Sequence, residues 1–300
     1  MRQLLIASFS ASLLLGTSFD AQAEQIWVNG VTAESGWIDY EKSRSDKNDD
    51  QLCWAASASC VLDYWQSLYI TSSYIPTGED IWNRFKAVSK NQAGISLLGI
   101  QWWIGGDYAG TTNNTSDDRA AYSTSSTSVP IETDISQFGG YYWDVIPETD
   151  GGKSEHLENF LFNTLAISPF ADISERLPYA PVSLGIKGSY GTSHAITLWG
   201  LEYEINSNGV EEITSMWITD SDDYTTQLRK IDTWKEDNNA RLYLDYDDSW
   251  LEETIWLYHI RALNVEESDT WALQRVVPEP TTATLSLIAL AGLAARRRRK

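Results

Sequence analysis

The spacing of apolar residues changes character near residue 180. Before that point they fall at helical intervals. Trp54, Val61, Leu62, Trp65, Leu68 and Tyr69 make one stripe, which predicts an amphipathic helix opening at Cys53. Asp46, Asp49 and Asp50 stand just ahead of it, where the free N–H groups and positive dipole end of a helix favour acids. A second helix is predicted from Glu79 to Val88, with Ile81, Trp82 and Phe85 inward, and a third over Leu97 to Ile104. Ser154 reads as the cap of a fourth, with Leu157, Phe160, Leu161 and Leu165 facing in. Residues 24–52 read as an extended lead-in. Residues 105–130, rich in Gly, Ser, Thr and Asn, read as a surface loop or insertion.

After Ala180 the runs shorten and turn residues separate them. Val182 to Lys187, Ser193 to Ile205, Val210 to Asp220, Arg241 to Asp245 and Thr254 to Leu263 predict at least five strands. Asn208-Gly209 between two apolar runs is a hairpin signal. The expected fold class is α+β, a helical N-terminal lobe against an antiparallel C-terminal β-sheet lobe, with a cleft between them.

The two ends follow a different logic. Arg2, the apolar stretch Leu4 to Leu15 and Ala21-Gln22-Ala23 form the charged, apolar and small-residue parts of a signal peptide over residues 1–23. Near the other end, Val277-Pro278-Glu279-Pro280 leads into the apolar stretch Thr281 to Ala295 and then Arg296-Arg297-Arg298-Arg299-Lys300. Residues 277–300 closely resemble the PEP-CTERM sorting signal of Gram-negative bacteria. That resemblance implies export, transient contact with the membrane through the tail, and processing by an exosortase. The product would be held in the cell envelope, at the cell surface, or secreted. A plain tail anchor is the alternative. Residues 24–270 remain as the functional domain.

Composition narrows the partners. The chain carries a formal charge of −20. The signal peptide's charges cancel and the tail holds five cations against one acid, so the domain between them lies near −24. Such a surface repels nucleic acid and anionic lipid. The 14 Trp and 15 Tyr read first as core. They also leave open a second function, a sorted surface or matrix protein that binds polysaccharide through exposed aromatics without catalysis.

There are two cysteines, Cys53 and Cys60. Seven residues along one helix separate them by ~10.5 Å, beyond the ~7 Å limit for a disulfide. Both are expected as free thiols, and a free thiol in an exported chain raises the question of nucleophilic catalysis. A helix start lowers a thiol pKa, and a nearby imidazole lowers it further. His194, one of three histidines, begins a long strand, and Thr219-Asp220-Ser221-Asp222 closes the next. Cys53, His194 and Asp220 are thus candidates for nucleophile, base and orienting acid. The Cys53 N–H and either Lys42 or Gln51 are candidate oxyanion donors. A two-residue Asn208-Gly209 turn would set Asp220 opposite Thr197, with His194 on the other face. A bulge, a longer turn or a reach from beyond the strand end is therefore required. His156 and His259 have no metal-ligand spacing, no phosphate loop or dinucleotide fingerprint appears, and no cofactor or metal is called for.

Three blocks together resemble the IdeS/Mac family of cysteine endopeptidases. They are Gly36-Trp37-Ile38-Asp39-Tyr40-Glu41-Lys42, then Asp49-Asp50-Gln51-Leu52-Cys53 with Ala55-Ala56 and Trp65, and finally His194 to Gly200 with Thr219 to Asp222. The resemblance implies a papain-like two-lobed fold, an acyl-thioester mechanism and a protein substrate, with immunoglobulin-like chains among the candidates. It also implies Asp222 as a supporting acid and Lys42 as the oxyanion donor. Two departures stand out: Trp54 follows the nucleophile where the family has Gly, and one extra residue separates Lys42 from Cys53.

Overall fold

In chain order the elements are β1 (Glu24–Trp27), α1 (Cys53–Tyr69), α2 (Gly78–Ser89), α3 (Ser96–Gly105), β2 (Leu161–Leu165), α4 (Pro169–Ser174), β3 (Val182–Gly188), β4 (Ser193–Ile205), β5 (Glu211–Thr219), β6 (Arg229–Lys235), β7 (Leu242–Leu244) and β8 (Ile255–Leu263). The computed structural model describes residues 23–43, 45, 48–69, 76–89, 91–105, 142, 157, 159–236, 241–246 and 254–265. Nearly all of the predicted signal peptide, Asp46, the polar stretch from 106 to 130, the Ser154 cap, His156 and the sorting tail lie outside these residues.

The strands do not form the open sheet of a two-lobed molecule. β4 pairs with β3, β3 with β8, β8 with β7, β7 with β6, β6 with β5, and β5 with β4 again. Six antiparallel strands thus close into a barrel, which removes the free edges of a sheet. β1 continues the β3 edge of β4, and β2 continues the β7 edge of β8. The interior is filled by Leu184, Ile196, Leu198, Met216, Ile218, Ile231, Leu244 and Leu257, among others.

Outside the barrel, α1 lies directly on β3 and β4. The small run Ala55-Ala56-Ser57-Ala58-Ser59 permits the close approach. Ser57 Oγ donates to Ile196 O at 3.1 Å and lies 2.8 Å from Ser183 Oγ, while Thr197 Oγ1 stands 3.0 Å from Ser57 Oγ. These hydroxyls satisfy one another in a buried seam, where an unmet polar group would cost about 1–3 kcal/mol. With the barrel core on one side and α1 on the other, β3 and most of β4 are buried on both faces. This explains why they read as continuous apolar runs. α2 starts on a reciprocal cap: Asp80 N donates to Thr77 Oγ1 at 3.2 Å and Thr77 N to Asp80 Oδ2 at 2.9 Å. Its Ile81, Trp82 and Phe85 join Trp54, Trp65 and Trp103 in a second apolar cluster on the helical side. Among the described residues, no helix is long and apolar enough to cross a membrane.

The papain-like two-lobed expectation is therefore corrected: the strands close into a barrel, and the described helices are few. Closure depends on β6, whose burial is confined to Ile231 amid Arg229, Lys230, Asp232 and Lys235. So little apolar signal does not read as a strand. The helix expected through Leu165 is also corrected, because residues 161–165 are β2. Leu161 pairs with Leu263 and Leu165 with His259, and cross-strand pairing overrides the helical spacing of Leu157, Leu161 and Leu165. The lead-in at 24–52 contains β1.

Candidate active site

Cys53 is the first residue of α1 and is half-buried. The approach to it is fixed by the main chain: Leu52 N donates to Asp49 O at 2.9 Å, and Leu52 O accepts from Ala55 N and Ala56 N. Gln51 N donates to Asn91 Oδ1 at 2.7 Å, and Trp54 Nε1 to Gln92 O at 2.9 Å. Trp54, where the resembling family has Gly, thus pins the segment before α3 to the start of α1. Neither cysteine forms a disulfide.

His194 stands at the start of β4 and is buried. Its Nε2 lies 2.6 Å from Asp220 Oδ1. The register explains how the two meet. The hairpin closes through Asn206 N to Val210 O at 2.9 Å, with Gly209 at φ +76°, so the loop is longer than the expected two residues. Two register shifts, at Glu202/Tyr203 and Leu198/Gly200, offset one another, so the register set by the turn is restored. Thr197 then pairs with Thr219. Asp220, one residue past the strand, falls opposite Ile196, which shares a face with His194.

Three further groups hold Asp220. Tyr246 donates its hydroxyl to Oδ2, Asp222 N donates to Oδ1 at 3.0 Å, and Arg229 Nη1 lies 3.8 Å from Oδ2. No motif announces Tyr246 or Arg229. They arrive beside Asp220 because the barrel closes, carrying β6 and the segment after β7 next to the end of β5.

The electrostatics follow from these contacts. Burial pushes the Cys53 thiol up, but the charge and hydrogen bond of His194 outweigh it, and the pKa is lowered overall. Burial would lower His194, yet Asp220 and Cys53 raise it well above the ordinary imidazole value. Burial works against ionised Asp220 as well, and His194 nevertheless holds it below the usual carboxylate range. With Nε2 turned to Asp220, Nδ1 is the nitrogen left for the thiol. The combination favours a thiolate–imidazolium pair backed by a carboxylate.

Lys42 and Asp222 form the adjoining corner. Lys42 Nζ lies 2.5 Å from Asp222 Oδ1 and donates to Asp50 O at 2.6 Å. Asp222 Oδ2 is 3.8 Å from His194 Nδ1. Gln51 is exposed and borders the same cleft, which has a volume of about 830 Å³ and is lined by Lys42, Gln51, Cys53, His194 and Asp222 among others. Asp220 lies behind His194, outside that lining. Among the described residues, one cluster has the geometry to hold a metal: His194, Asp220 and Asp222. Lys42 against Asp222 and Arg229 near Asp220 already supply positive charge there, which disfavours a divalent cation.

Residues 276–300 match the PEP-CTERM protein-sorting motif. The motif marks the chain as exported to the cell envelope and sorted by an exosortase. No curated protein matches the chain.

Proposed function

We propose that the chain is an exported cysteine endopeptidase acting through Cys53, His194 and Asp220. The observation that carries this is a helix-start thiol whose pKa is lowered by a buried imidazole, itself ion-paired to a carboxylate. The three blocks that resemble IdeS/Mac endopeptidases supply these groups in the same order, which lends the assignment separate support from sequence. That resemblance also brings immunoglobulin-like proteins forward as substrates, and the sorting tail a Gram-negative envelope as the setting.

The Cys53 thiolate attacks the peptide carbonyl carbon, forming the C–S bond and moving the π electrons onto oxygen. The Cys53 N–H lies in the first helical turn, where N–H groups have no partner within the helix. It is one donor for that oxyanion, and Lys42 is the other. The ammonium carries three protons, of which Asp50 O and Asp222 engage two. Collapse breaks the C–N bond as imidazolium His194 gives its proton to the leaving amine. Neutral His194 then takes a proton from water, the hydroxide adds to the thioester, and the acid leaves as the thiolate returns. Asp220 stabilises the imidazolium through each cycle without taking its proton.

The polysaccharide alternative draws less support. The largest fully buried side chains are Trp54, Trp65, Trp103 and Trp199, which serve the core. The test is a panel of casein and immunoglobulin digested by the purified domain and by its Cys53→Ala variant. Cleavage by the parent and none by the variant is the expected result; equal cleavage by both would rule out the assignment.

A further inference from the structure

The cleft that holds Cys53 and His194 has a second wall, formed by β8. Arg261 lines it and is only 8% exposed. Its guanidinium lies over Gly185 of β3. A Cβ at that position would stand 2.9 Å from Arg261 Nη1 and 3.2 Å from His259 Cβ, so a side chain larger than hydrogen would push the guanidinium away. Gly185 pairs with Ala195 on β4, the residue next to the base. The cation therefore lies over the strand that pairs directly with the one carrying His194.

The charges of the cleft are segregated. Its lining acids, Asp50 and Asp222, both belong to the Lys42 corner, where Asp222 is ion-paired and the Asp50 carbonyl is bonded. On the β8 wall the described lining residues are Tyr258, His259 and Arg261, none of them an acid. Burial, and after it the charge of Arg261, lowers the His259 pKa, so this imidazole stays neutral near pH 7. A buried guanidinium in the cleft of a chain with net charge −20 attracts an anion where the rest of the surface repels one. Its planar fork of five donors can grip a carboxylate alongside other partners.

We propose that Arg261 sets the substrate class: the β8 wall receives a carboxylate of the peptide, one or two residues from the scissile bond. This deepens the endopeptidase assignment and rests on it. In an endopeptidase substrate the carboxylate is an Asp or Glu side chain; the same contact on a chain terminus would make the cleavage exopeptidic, and the libraries separate the two.

The experiment uses positional peptide libraries, each member carrying one Glu or one Gln, with free and amidated C-termini. They are offered to the parent domain, to Arg261→Gln and to Arg261→Lys. At one position the parent should prefer Glu by about tenfold or more in kcat/KM. Arg261→Gln should bring the Glu and Gln peptides to near parity in kcat/KM. Arg261→Lys, which keeps the charge and loses the fork, should fall between. Preference for a free over an amidated terminus would assign the carboxylate to the chain end. Equal rates for all members with the parent protein would overturn the proposal. Should Arg261→Gln fail to fold, the Glu and Gln comparison on the parent decides alone. Binding of fluorescent Glu and Gln peptides to the Cys53→Ala protein separates the two claims. Glu-selective binding lost in Cys53→Ala/Arg261→Gln, with no cleavage by the parent, would sink the peptidase and keep the pocket. Cleavage without Glu selectivity would do the reverse.

Discussion

Helix α1 carries two thiols seven residues apart, and their surroundings drive them in opposite directions. Cys53, at the helix start, opens on the cleft and faces His194, whose positive charge lowers its pKa against the effect of burial. Cys60, two turns on, is packed in the barrel-side core. Burial, then the nearby charge of Asp39, raises its pKa far above the ordinary range. Desolvation opposes ionisation of both thiols, so it does not decide which one is the nucleophile. What separates them is the sign of the neighbouring charge: an imidazolium held by Asp220 in one case, a carboxyl cluster in the other.

Removing the charge that holds His194 should have the largest effect on this contrast. Asp220→Asn keeps the shape, but His194 loses its ion pair, its pKa falls, and the Cys53 pKa rises. The acid limb of the pH–rate profile reports loss of the Cys53 proton and the alkaline limb loss of the His194 proton. The plateau should therefore narrow from both sides, with kcat/KM falling by roughly 10²–10⁴. An unchanged profile would remove Asp220 from the site.

Tyr246→Phe deletes one hydroxyl donated to Asp220 Oδ2. Losing a hydrogen bond to a charged group costs about 1.5 kcal/mol, roughly tenfold in rate if felt in the transition state. The expected signature is a lower kcat with KM near its parent value and a smaller narrowing of the same profile. Cys60→Ala should leave kcat and KM alone and lower stability by about 1 kcal/mol through the small cavity it leaves, read as a drop in Tm of ~2–4 °C.

The carboxyl cluster behind Cys60 supplies a further contrast. Burial raises Asp39 to about 7, and burial with the Asp39 charge raises Glu41 to about 9. Gln227 N donates to Asp39 Oδ2 at 3.1 Å. A carboxyl whose folded pKa is raised adds stability that is fully present below its unfolded pKa, near 4, and lost as pH rises through the folded pKa. Ionisation at high pH therefore destabilises. Glu41→Gln should raise Tm by about 2–4 °C at pH 9 and give no gain at pH 4; equal shifts at the two pH values would contradict an origin in carboxyl ionisation.

Much of the local structure is legible from spacing. β4 spans the predicted residues, and α1 opens at the predicted cysteine. α2, α3, β3, β5 and β8 lie within a residue or two of expectation. What spacing does not carry is long-range pairing. β1 has four residues, half of them exposed, and is a strand because β4 offers an edge. β6 buries little beyond Ile231, yet it turns an open sheet into a barrel. The site divides in the same way. Local context and resemblance point to Cys53, His194, Asp220, Asp222 and Lys42. Tyr246 and Arg229 reach Asp220 only across the closed barrel. The register that joins Asp220 to His194 is set by a turn longer than the Asn208-Gly209 dipeptide announces, and the two shifts along the ladder cancel before Thr197.

Everything proposed for the cleft requires Cys53 to be ionised at neutral pH while its neighbour on the same helix is not. The rate of iodoacetamide alkylation of each thiol against pH, followed by peptide mass spectrometry on the native domain, measures this. Cys53 is expected to react with a midpoint well below an ordinary thiol's ~8.5, and this midpoint should rise in Asp220→Asn. Cys60 should react only after unfolding. A Cys53 midpoint at or above ~8.5, unmoved by Asp220→Asn, would contradict the thiolate–imidazolium pair.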